Sequence, residues 1–169
     1  MKCEFLALAV AIGLGAAAHA EQGKQAMIGM KNPNAPIEVS ADNFNADANT
    51  KTATYSGNVI IHQGDVRMRA NAVRVNVVDG KPSKIFAQGH VVVDAPSGTA
   101  TGENGVYDVN PRLVTLTGHV VLTKEKNVMR GSLLTVNLIT GEATLDGGKQ
   151  QGGRVQGLFT PASQTAEKP

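Results

Sequence analysis

ATYSGNVII (53–61), IFAQGHVVV (85–93), VTLTGHVVL (114–122) and ATLDGG (143–148) align on a glycine, and the alignment sets the fold class. The glycines are Gly57, Gly89, Gly118 and Gly147, spaced 32, 29 and 29 residues apart. Four and two residues before them stand Ala53/Tyr55, Ile85/Ala87, Val114/Leu116 and Ala143/Leu145. Two and four residues after the first three stand Val59/Ile61, Val91/Val93 and Val120/Leu122. The residues between are mostly Thr, Ser, Gln or Asp; Phe86 breaks the rule. Side chains alternate across a β-strand, so every repeat presents one apolar face. A glycine on that face leaves room for a bend or for another backbone to approach.

A second strand follows each unit. Val66, Met68 and Ala70 alternate with Arg67, Arg69 and Asn71. After Ala72 the phase shifts to Val73, Val75 and Val77, which predicts a bulge or corner. Gly105–Val109 and Leu134–Leu138 are the later counterparts. Asp79-Gly80-Lys81-Pro82, Ala95-Pro96-Ser97-Gly98, Asn110-Pro111 and Thr140-Gly141 mark turns. No window of helical length keeps a 3.6-residue apolar period. The expected product is all-β, a dozen or more short strands in an antiparallel sandwich or jelly roll. A parallel β-helix is the competing arrangement, and hairpin-length connections favour antiparallel pairing.

The flanks read differently. MKCEFLALAVAIGLGAAAHA (1–20) has a basic start, an apolar run from Phe5 to Ala18 and an Ala-His-Ala end. That is the pattern of a cleavable export signal, and the run is shorter than a membrane span needs. Cys3 precedes the apolar run and is the only cysteine, so cleavage after Ala20 leaves no thiol, disulfide or Cys-based metal site. Residues 21–36 hold two prolines and no sustained period, and are expected to form a flexible arm; Met27, Ile28 and Met30 are its apolar cluster. The β-domain is expected over 37–160, with a disordered tail over 161–169.

The 169 residues provide one ordinary domain. The net charge is +2, and the basic residues are scattered rather than clustered, which argues against a nucleic-acid partner. No nucleophile elbow, P-loop, zinc-protease motif or calcium loop occurs. His90 and His119 both follow repeat glycines and could form a metal pair; the plainer reading is an outward polar residue. Asp65, Asp79, Asp94 and Asp108 fall near turns, where Asp commonly caps its own backbone. Arg67 and Arg69 lie opposite the apolar face, either as a solvated surface or as phosphate contacts at a groove mouth. No catalytic residue, metal or cofactor is expected. The apolar face is either a thin core or a wall for alkyl chains, because Trp is absent and aromatics are 4% of the chain.

Several stretches carry a resemblance. They are Pro36-Ile37-Glu38-Val39-Ser40-Ala41-Asp42, YSGNVIIHQG (55–64), ANAVRV (70–75), and LTGHVVL (116–122) followed by Met129-Arg130-Gly131. Over roughly 36–148 the chain resembles the periplasmic lipopolysaccharide-transport protein A family (LptA, also called OstA-like). The resemblance implies a slightly open β-jelly roll that holds acyl chains between its sheets. It implies a periplasmic location, head-to-tail self-association, and partners in an inner-membrane C component and an outer-membrane D component. Family positions for lipid contact carry over to Ile37, Val39 and Ile85. An aromatic residue is familiar near the last, and Ile85 departs from it. The derived apolar face adds Tyr55, Val59, Ile61, Val66, Met68, Val91 and Leu116 as lipid-facing candidates. An enzyme of cell-envelope glycans and a structural β-repeat protein with a dry core are the competing functions.

Overall fold

The computed structural model describes residues 30–148 and 153–160. Among the described residues there are ten strands: β1 (Ile37–Ser40), β2 (Asn43–Asp47), β3 (Thr52–Gln63), β4 (Val66–Val78), β5 (Lys81–Ala95), β6 (Gly98–Asp108), β7 (Leu113–Lys124), β8 (Asn127–Asn137), β9 (Ala143–Asp146) and β10 (Gln156–Leu158). They form one sheet in the order β1-β3-β4-β5-β6-β7-β8-β10, with β2 also on β3 and β9 also on β8. Every pairing is antiparallel, which excludes the β-helix.

β1 and β2 share one partner because β3 is two half-strands end to end. Ile37–Ser40 lies against Ile60–Gln63, and Asn43–Asp47 against Thr52–Ser56. The register breaks between them, at Ser56/Val59. The same break recurs at Arg69/Ala72, Gln88/Val91, Thr101/Asn104 and Thr117/Val120. The breaks line up, so each long strand bends at its middle and the sheet doubles over into two facing layers. The phase shift expected after Ala72 is this bend. Hydrogen bonding resumes on both sides of it, so the dozen or more short strands expected merge into six long strands and four short ones.

The repeat glycine makes the corner. Gly57, Gly89 and Gly118 have φ of 79°, 77° and 79°, and the next residues, Asn58, His90 and His119, have 47°, 50° and 42°. Two successive left-handed residues form the outward bulge, and the first would also be crowded by a side chain. A Cβ at Gly118 would lie 2.5 Å from Glu103 Oε2. Glycine removes both penalties there. In the fourth repeat the left-handed residue is Gly148 rather than Gly147, and it abuts Ser132.

The inner faces of the two layers share one aliphatic core. Ile85, Leu116, Leu122, Leu134 and Leu138 are its largest fully buried side chains. Phe86, the exception in the alternation, lies on the outer face with the Arg74 guanidinium 4.9 Å over its ring. Of the arm expected over 21–36, residues 30–36 are described: Met30 is buried in the core, and hydrogen bonds join Met30, Lys31 and Ala35 to the β-domain. The reason is local, since Met30 has an apolar site to fill and its neighbours find polar partners. The signal at 1–20, residues 21–29 and the tail at 161–169 lie outside the described residues.

Candidate functional site

The ten candidate residues all fall on the inner face. Val59, Ile61, Val66, Met68, Ile85, Val91 and Leu116 are buried in the central core. Ile37, Val39 and Tyr55 are partly buried and pack against its rim. Ile37 and Val39 lie on the edge strand β1, and Tyr55, on β3, pairs with Phe44 of the short edge strand β2. Phe44 completes the gradient. It stands opposite Tyr55 in the β2–β3 register, its ring 5.0 Å from the Tyr55 ring, and is 61% exposed. At the far edge Met129, Ala143 and Leu145 are again only partly buried against the core. The same apolar surface therefore runs through the molecule and emerges at both edges. Phe44 was legible in principle, since Asn43-Phe44-Asn45-Ala46-Asp47 alternates, but it lies outside the glycine repeats.

A polar bridge crosses the interior near the mouth formed by the strand ends. Gln63 is buried, and its carbonyl accepts a 2.8 Å hydrogen bond from the Tyr107 hydroxyl. β3 and β6 are not neighbours in the sheet, so this bond spans the two layers. The Gln63 amide donates to the carbonyls of Pro33 and Ala35. A buried amide and a buried phenol each need partners, and here all the polar atoms of Gln63 are used. Sequence reasoning missed this pair, although alternation places Gln63 inward, two residues after Ile61.

The outer face carries the charges. Arg69 pairs with Asp94 at 3.2 Å, and Lys84 with Asp108 at 3.3 Å. These carboxylates therefore bind cations across strands instead of capping their own backbone. Both pairs are solvated and contribute little to stability. Asp65 accepts the Lys31 N–H, and Arg67 is exposed. His119 pairs with Glu103 and His90 is exposed, both pointing away from the interior. Among the described residues no three His, Cys, Asp or Glu cluster as a metal site. Asp47 accepts the backbone N–H groups of Thr50 and Asn49, which hold its carboxyl below the usual carboxylate range. It stabilises the β2–β3 turn and lies apart from the apolar surface.

Comparison with known proteins adds four likenesses. The family model for the LptA/(LptD N-terminal domain) LPS transport protein matches residues 38–142. An uncharacterized protein of Rhizobium meliloti (strain 1021) is 34% identical over 173 residues, spanning 93% of this chain and 91% of its own length. The lipopolysaccharide export system protein LptA of Haemophilus influenzae is 29% identical over 114 residues, spanning 62% of this chain and 66% of its own. Among solved structures, LptH, the LptA-homologous periplasmic component of the Pseudomonas aeruginosa lipopolysaccharide transport device, matches with a TM-score of 0.69 at 18% identity. The match covers 77% of this chain and 99% of that one, and it is a likeness of fold.

Proposed function

The chain belongs to the LptA/LptD N-terminal domain family of LPS transport proteins, and from that membership we propose a role as a periplasmic bridge protein carrying lipopolysaccharide between the inner and outer membranes. Its acyl chains travel in the apolar interior, against Ile37, Val39, Tyr55, Val59, Ile61, Val66, Met68, Ile85, Val91 and Leu116. The observation that supports this reading is the open-ended apolar surface. It is buried at Val91 and Leu116, half-covered at Val39 and Tyr55, and exposed at Phe44. A closed core would end in polar residues at its edges.

The energetics suit the task. Each buried CH₂ is worth about 0.8 kcal/mol, so a chain of ~12 carbons costs on the order of 9 kcal/mol to expose to water. An apolar path lowers that barrier without a chemical step. Export by the signal at 1–20 brings the protein to the periplasm. The exposed edges β1/β2 and β10 are where a second copy, the inner-membrane C component or the outer-membrane D component adds strands and lengthens the path.

Photo-crosslinking tests the reading. Benzoylphenylalanine at Tyr55 should capture lipopolysaccharide in cells, and at the outward neighbour Thr54 it should not. Equal capture at both positions, or none at either, would refute the interior path.

A further inference from the structure

Residues 30–36 run across the mouth of the doubled sheet, from one layer to the other. The Met30 N–H donates to the Leu138 carbonyl at 2.8 Å, on the layer that carries β9. The Lys31 N–H donates to Asp65 at 3.1 Å, at the β3–β4 turn of the opposite layer. Arg112 reaches Asn34 at 3.4 Å. The Met30 side chain, 8% exposed, separates two spaces. Outside it lies a cavity of about 670 Å³, lined in part by Lys31, Asp65, Ala95, Pro96 and Ile139. Inside it lies a small apolar gap against Ile61, Met68, Val93, Tyr107 and Leu138.

We infer that this segment is a displaceable strap, and that the space held by Met30 is the port through which an alkyl chain passes from the outer cavity into the interior. The inference rests on the lipid-carrying reading above. Three features support it. Met30 puts an unbranched, flexible thioether where an alkyl chain would lie, so one apolar chain replaces another when the strap lifts. The strap has no strand ladder of its own, and Pro33 and Pro36 lack an N–H, so it is held by a few separate bonds and opens before any strand does. The outer cavity is apolar toward Ala95, Pro96 and Ile139 and charged, with both signs, toward Lys31, Asp65, Lys124 and Glu125, as an amphiphile with a polar head requires.

A reversible lock tests it. A Cβ at Gly64 would stand 3.6 Å from the Asn32 Cβ, within disulfide range. Asn32→Cys with Gly64→Cys, in a Cys3→Ser background, ties the strap to the β3–β4 turn. Gly64→Cys alone controls for the left-handed backbone at that position. The probe is a dansyl-labelled fatty acid, followed by stopped-flow fluorescence. The oxidised pair should take it up about tenfold more slowly, or worse, than the same protein reduced. The single variant should behave alike in both buffers. With lipopolysaccharide bound, the amides of Met30 and Lys31 should exchange hydrogen faster. Equal uptake by the oxidised and reduced pair, or unchanged exchange at both amides, overturns the strap and leaves the lipid-carrying reading standing. No uptake by the wild-type chain overturns both.

Discussion

Gly80 and Gly118 share a left-handed backbone, at φ of 72° and 79°, and differ in what surrounds them. Nothing lies within 4 Å of a Cβ added at Gly80, whereas one at Gly118 meets the Glu103 carboxylate and its Cβ. Gly80→Ala should cost only the backbone term, about 1 kcal/mol. Gly118→Ala should cost more, up to about 3 kcal/mol, because a corner of the sheet must shift. Urea titration of both variants measures the difference, and equal losses would mean that the corner is not tightly packed. Leu134→Ala, at a side chain with no exposure, should cost about 2–5 kcal/mol in the same titration. Residues such as Val59, Val91 and Leu116 were legible because alternation alone assigns them inward. The Gln63–Tyr107 bond was not, because it joins strands that are neighbours neither in sequence nor in the sheet.

Strands, rather than residues, decide how the molecule meets others. β1 can be read from the sequence, since the apolar Ile37 and Val39 alternate with the polar Glu38 and Ser40. The long strands were legible only as halves: a repeat centred on glycine reads as two short strands until the bulge is seen to carry the hydrogen bonding past it. β10 is three exposed residues at an edge; its last residue, Leu158, and the following Phe159 are 63% and 65% exposed. Its outer backbone is a template for another strand. Leu158→Asp with Phe159→Asp should leave the melting temperature within a degree or so of the parent, because surface changes act weakly. The same pair should abolish concentration-dependent association in sedimentation velocity. A variant that still associates like the parent would move the contact to another edge.

As a whole, the molecule is a meander in which β3 to β8 each pair with the strand before and after them. An interior that accepts acyl chains links stability to lipid. At a free lipopolysaccharide concentration of about 100 times Kd, the folded state should gain about 2.7 kcal/mol, read as a rise in the denaturation midpoint. No rise at saturation would argue for a dry core. The sequential pairing has a mechanical consequence as well. With β1 at one edge and β10 at the other, a pull applied through the two ends loads the hydrogen-bond ladders across the strands, one ladder at a time. The chain should therefore peel in an optical trap in small successive steps at low force, edge strands first, with no single rupture of the whole sheet.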